Sequence, residues 1–303
     1  MSLPLIFILA FSPGLFWLWL IYTRDKYRPE PRALVIRTFL LGIAVSLPVV
    51  GIEYLLSYLY PGLSDLSRLE DITDINTVVY VSFVVAGLTE EVAKYWVVRY
   101  TIYNSPYFDE PIDGIIYGSA AALGFASIEN VGYALVLGWQ FILARGIFSC
   151  LGHVFFSGVW GYSLGWQKLK GSGSYWVVWL ALLGSIVLHG AFDFFLLANR
   201  GLEVFTILLF FISGGFFLFL VRLAIKKSPY RDKVGTPLVG CLSCGYKNVF
   251  YANFCTRCGT ILQTVQKDTS IFCSVCDAQV QHSFDFCTSC GSRLDRKSLK
   301  KPL

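Results

Sequence analysis

Seven long apolar runs follow one another along the first 225 residues, separated by short polar stretches. The runs are continuous and do not alternate, so they read as helices and not as the strands of a transmembrane barrel. They cover about Leu3–Tyr22, Leu34–Leu59, Val78–Val98, Ile112–Leu137, Gly146–Trp166, Tyr175–Leu197 and Val204–Ile225. Each is close to the ~20 residues that cross a bilayer. No positive charge precedes the first run and no small-residue cleavage site follows it, so it reads as a retained helix. Turn signals at Pro29-Glu30-Pro31, Asn104-Ser105-Pro106 and Asp109-Glu110-Pro111 separate neighbouring runs. Beyond Lys227 the apolar pattern stops. The expected class is an all-α membrane protein of about seven transmembrane helices with a small separate tail. Its expected parts are a multi-span domain (1–227), a linker (228–240), two small cysteine-bearing modules (241–260 and 273–292) and a basic end (293–303).

A few polar residues break the apolar pattern. Glu90, Glu91 and Lys94 fall within the third run. Charges at membrane depth cost several kcal/mol, face a protein interior and mark a working site. On a helix Lys94 lies four residues after Glu90 and three after Glu91, within reach of both. The fourth run holds Glu129, four residues after Phe125. The fifth holds His153 and Ser157, and the sixth His189 and Asp193, again at i,i+4. Asp193 is placed to orient an imidazole or accept its proton. Phe125, Asn130 and Ser157 read as packing or support. Glu53, in the far third of the second run, reads as a carboxylate facing the interface. Glu30 reads as a helix N-terminal acid just ahead of Pro31.

Three chemistries use carboxylates and histidines in a membrane cavity. One is peptide hydrolysis, with a Glu as general base and histidines at the oxyanion or holding a metal. The second is proton or ion transport along a Glu/His relay. The third is a structural network, with the membrane part serving only to anchor the tail.

Composition sharpens the class. Of 303 residues, 55% are hydrophobic and 15% charged, with mean hydropathy +0.59; soluble domains carry about 25% charged residues. Lysine and arginine concentrate in alternate loops: Arg24, Lys26, Arg28 and Arg32, then Arg99, then Lys168 and Lys170, then Lys226, Lys227, Arg231 and Lys233. The positive-inside rule then puts the N-terminus outside the cell membrane and the tail in the cytosol.

The tail has its own signature. Cys241-x-x-Cys244 and Cys255-x-x-Cys258 are followed by Cys273-x-x-Cys276 and Cys287-x-x-Cys290. Thiolate pairs with Gly245, Gly259 and Gly291 just after them make knuckles that aim sulfurs at one tetrahedral ion. Asp277 takes that place in the third knuckle. The spacing predicts two structural zinc ribbons and argues against disulfides in a cytosolic tail. Residues 226–303 hold 12 basic and 5 acidic side chains. Eight thiolates and two zinc ions would cut that surplus to about +3, so the tail fits a protein partner better than nucleic acid.

Taken together, Glu90-Glu91-x-x-Lys94, Phe125-x-x-x-Glu129, His153-x-x-x-Ser157 and His189-x-x-x-Asp193 resemble the ordered motifs of the PrsW family of intramembrane proteases, relatives of the CAAX prenyl endopeptidases and Abi proteins. Asp25 with Pro29-Glu30-Pro31 is similar to that family's first-loop motif. The resemblance covers residues 1–225. It implies an endopeptidase that cuts a membrane-anchored protein within the bilayer, such as an anti-sigma factor. Glu90 or Glu91 would activate the water, with His153 and His189 at the reacting centre. Relatives are commonly called metalloproteases, and the two histidines with Glu129 would make a zinc set with an open position. A metal-free site would use the same residues.

Overall fold

A computed structural model describes residues 2–60, 74–171, 175–198, 201–231, 238–249, 252, 254, 255, 257–262, 270–272, 275, 279–281, 290 and 292. The seven expected spans are all present. They are α1 (Leu3–Tyr22), α2 (Arg32–Leu59), α3 (Ile75–Thr101), α4 (Pro111–Val136), α5 (Phe141–Lys170), α6 (Tyr175–Leu197) and α7 (Glu203–Lys227). All are long and apolar enough to cross a membrane. Large side chains such as Ile8, Trp19, Leu47, Leu180 and Phe211 lie exposed on the outer faces of α1, α2, α6 and α7, as lipid contact requires.

Helix α4 is the axis of the bundle, with nearly every residue from Pro111 to Ser127 buried. It packs on α1, α2, α3, α5 and α7. Its run of glycine, alanine and serine explains how one helix can have so many neighbours. Lipid gives no hydrophobic push between helices, so close approach of small residues supplies the contact. The tightest crossing is with α5, where a Cβ on Gly114 would run into the Gly161 carbonyl and one on Gly161 into the Gly114 carbonyl.

Helix α3 is not regular. Between Tyr80 and Leu88 it widens to a π-helix before returning to α geometry at Thr89. Such widened turns gather at functional sites, and this one ends one residue short of Glu90. The first loop folds inward beneath α4. Glu30 is buried, accepting a hydrogen bond from the Tyr117 hydroxyl of α4, while Tyr22 donates to its backbone carbonyl at 2.8 Å. Its reading as a plain helix N-terminal acid is therefore corrected: the side chain belongs to a buried cluster.

From Thr236 onward the chain forms a separate unit. Strands β1 (Leu238–Gly240) and β2 (Lys247–Val249) pair antiparallel, as do β3 (Ser270–Phe272) and β4 (Gln279–Gln281). The spacing between them repeats the internal duplication of the cysteine pattern.

The Gly114–Gly161 crossing makes a direct prediction. Gly114→Ala drives a methyl group into backbone and should cost ~1–3 kcal/mol, lowering the thermal midpoint in detergent. Gly132→Ala on the same helix meets open space and should leave the midpoint unchanged. Equal midpoints for the two variants would contradict the crossing.

Candidate active site

The site is built around one ammonium group. Lys94 is fully buried, and its Nζ lies 2.8 Å from Glu90 Oε2, 3.0 Å from Glu91 Oε1 and 2.9 Å from His153 Nδ1. An ammonium has three donors and no acceptor, so all three protons are taken. The Phe125 ring lies beneath it, 4.5 Å from Nζ to the centroid, a further favourable contact for a cation out of water.

The two adjacent glutamates are not equivalent. Glu91 accepts four hydrogen bonds: from Lys94 and His189 Nδ1 (3.1 Å) on Oε1, and from Ser157 (2.8 Å) and Trp160 Nε1 (3.0 Å) on Oε2. Its side chain is wholly enclosed, whereas 6% of the Glu90 side chain stays accessible. A carboxylate with every lone pair claimed has no room to hold a water. Glu90 retains that room.

The histidines come from neighbouring helices and lie with ring centroids 5.1 Å apart, nearly perpendicular. His153 on α5 has Nε2 2.8 Å from Glu129 Oε2 of α4. His189 on α6 turns Nδ1 to Glu91, and its Nε2 lies 3.5 Å from Asp193 and 3.9 Å from Glu90. The π-helical stretch makes this possible. Gly87 sits against the Ile186 carbonyl and Gly190 against the Phe83 ring, so α3 and α6 cross closely beside His189. All seven residues expected to share a site thus converge: Glu90, Glu91, Lys94, Glu129, His153, His189 and Asp193.

Several partners were not expected. Trp160 follows His153 and Ser157 at helical i, i+4, i+7 spacing, a signal the apolar setting of a tryptophan hides. Ser157, read as support, bonds directly to Glu91. Arg145 at the start of α5 lies 3.5 Å from Glu129 and donates from Nε to Asn130 at 3.0 Å. Glu53, read as facing the interface, is instead half-buried and accepts a hydrogen bond from Thr89 at 3.2 Å, next to Glu90.

Whether these residues suit a metal can be tested on the geometry. Atoms of Glu90, His153 and His189 lie within 4.8 Å of one another, a spread one ion could span. Two of those three donors already hold Lys94, however, and the second nitrogen of His153 abuts Glu129. Of the three, that leaves only His189 uncommitted to Lys94, short of the three protein ligands of a catalytic zinc. The donors fit a resident ammonium, not a divalent ion.

The tail is the opposite case. Sulfurs of Cys241, Cys244, Cys255 and Cys258 all lie within 4.8 Å of one another. Cys241 and Cys258 are 3.6 Å apart, and Cys244 and Cys255 3.4 Å. Those gaps are far above a disulfide's ~2.05 Å and near the ~3.8 Å edge implied by Zn–S bonds of ~2.3 Å. Gly245 and Gly259 have φ of 72° and 73° and donate back to the Cys241 and Cys255 carbonyls at 2.8 Å, closing each knuckle. In the second ribbon Cys290 is exposed; Cys273, Cys276 and Cys287 lie outside the described residues.

Seven membrane helices enclosing two glutamates, a lysine and two histidines define a polytopic membrane protein with an enclosed acid–base site. Residues 30–221 match the model of the PrsW family intramembrane metalloprotease, and residues 237–292 match the double zinc ribbon. The chain belongs to the PrsW family. It is 33% identical to Protease PrsW of Geobacillus kaustophilus over 189 residues, 62% of this chain and 78% of the relative. It is 36% identical to Protease PrsW of Clostridioides difficile over 203 residues, 63% and 79% of the two chains. The figure for the Bacillus subtilis protein is 31% over 189 residues, 62% and 80%. No solved structure matches. The chain is therefore a multi-pass intramembrane protease acting on a protein in the membrane, with zinc held by its ribbons; transport and a purely anchoring role are set aside.

Metal analysis checks the tail. The wild-type chain should carry two zinc ions, and Cys244→Ser should carry one, with the seven helices still folded. Unchanged zinc in Cys244→Ser would contradict the four-sulfur site.

Proposed function

We propose that Glu90 is the general base of peptide hydrolysis and that Glu91 holds the other groups in place. The carrying observation is the asymmetry of the pair: Glu91 is saturated by four donors, while Glu90 keeps an accessible edge. Lys94 holds one Glu90 oxygen at 2.8 Å and aims the carboxylate. A water on the open side of Glu90 gives up a proton to the carboxylate as its oxygen bonds to the scissile carbonyl carbon. The developing oxyanion takes a hydrogen bond from His189 Nε2–H, with the other ring proton held by Glu91 and Asp193 steadying the imidazolium. The C–N bond then breaks, and Glu90 passes its proton to the leaving amine. His153, fixed between Lys94 and Glu129, walls the opposite side and keeps both charges in register. No step in this scheme uses a metal.

The family resemblance supports a membrane-anchored regulator, such as an anti-sigma factor, as the protein cut. The charge pattern of the loops supports an outside N-terminus and a cytosolic tail. Residues 1–227 would do the chemistry, while the ribbons (241–260 and 273–292), joined by the 228–240 linker and followed by the basic 293–303 end, would recruit a protein partner. Nucleic acid is less favoured, because bound zinc leaves little positive surplus.

Two glutamine substitutions separate the roles. Glu90→Gln should lose cleavage by ~10²-fold or more with a near-normal thermal midpoint. Glu91→Gln should also lose cleavage but melt lower, since Lys94 and His189 lose a buried charged acceptor at ~1–3 kcal/mol. Membrane proteomics of wild-type against Glu90→Gln cells should show a single-pass protein that persists uncut. Full cleavage by Glu90→Gln would rule out this assignment of the base.

A further inference from the structure

A second cluster of carboxylates lies away from the hydrolytic centre, where the first loop meets the start of α4. Asp25, Glu30 and Asp113 are 5%, 2% and 0% exposed. Oxygens of all three lie within 4.8 Å of one another. Glu110, 1% exposed, is beside them. Nη1 of the nearby Arg28 is paired with Asp109 and Tyr230, and the guanidinium charge also acts on Asp25, Glu30 and Glu110.

Local structure accounts for only half of these oxygens. Asp113 Oδ2 accepts from the backbone N–H groups of Asp109 and Glu110 at 2.8 and 2.7 Å, capping the start of α4. Asp25 Oδ1 accepts from the Arg28 N–H at 3.2 Å. One Glu30 oxygen takes the Tyr117 hydroxyl. Asp113 Oδ1 and Asp25 Oδ2 are buried with no hydrogen-bond partner among the described residues. A helix cap needs one carboxylate, not three. Buried anions left without partners are costly, so the cluster must take up either a cation or protons.

We infer that Asp25, Glu30 and Asp113 form a binding site for a hard divalent cation of the Mg²⁺ or Ca²⁺ class, tying the first loop to the N-terminal end of the central helix. The donor chemistry sets the class: three carboxylates and no nitrogen or sulfur ligand favour an oxygen-seeking ion over zinc. Each aspartate has one oxygen anchored by backbone and the other free, which preorganises the pair for a shared ion. The bound ion would hold the first loop on α4, the helix that carries Glu129 to the hydrolytic centre.

The test uses the full-length purified chain in detergent, freed of alkaline-earth ions by passage over a chelating resin. Mg²⁺, Ca²⁺ or Mn²⁺ is added back alone at pH 7.5. The expected result is a saturable rise in thermal midpoint and one Mn²⁺ bound per chain, read from loss of the free Mn²⁺ paramagnetic resonance signal. Asp25→Asn and Asp113→Asn should each weaken Mn²⁺ binding at least tenfold. Glu90→Gln, which leaves this cluster intact, should bind as wild type does, so failure here is distinguishable from failure of the hydrolytic assignment. The wild-type measurement decides even where an aspartate variant does not fold. No saturable Mn²⁺ binding and no cation-dependent midpoint, with the Asn variants as stable as wild type, would show that protons hold the cluster and overturn the proposal. Binding that vanishes in Glu90→Gln would also overturn it.

Discussion

A single buried ammonium decides the arrangement of this membrane domain. Lys94 Nζ has no accessible surface and three hydrogen-bond partners from two helices. Removing a cation from water into a bundle is worthwhile only where every proton finds an acceptor and the surrounding charge balances. That demand draws Glu90, Glu91 and His153 to one point, and Glu91 extends it to His189, Ser157 and Trp160. The network is thus both a structural clamp between α3, α5 and α6 and the support of a hydrolytic centre.

Such a clamp needs helices that come very close together. The small residues of α4 provide this on one side and the Gly87–Gly190 crossing of α3 with α6 on the other. The π-helical stretch ahead of Glu90 changes the phase of α3 just where the acidic pair begins, so both glutamates face inward. Residues far from the chemistry therefore set its precision, and an added methyl group at a helix crossing acts on the same geometry as a change in a charged side chain.

Much of this was legible in the sequence. Seven apolar runs gave seven helices with ends shifted by a few residues, because hydropathy reports the bilayer and not the polar turns that continue a helix past it. Charges inside apolar runs marked the site, since nothing in lipid excuses them. What was hidden depended on burial and helix facing. Trp160 sits in an apolar run where nothing singles it out. Glu53 and Glu30 looked like residues near the membrane boundary, where carboxylates are common, yet both turn inward. The inequality of Glu90 and Glu91 was equally invisible, because it comes from donors on α5 and α6 that lie 66 to 98 positions along the chain.

The family name carries the word metalloprotease, whereas the geometry gives the cationic role to Lys94. Counting zinc in the purified full-length wild type, Glu90→Gln and His189→Ala tests that claim most directly. The account predicts the same two ions per chain, both in the ribbons, in all three. A third zinc in the wild type that disappears with either substitution would contradict it.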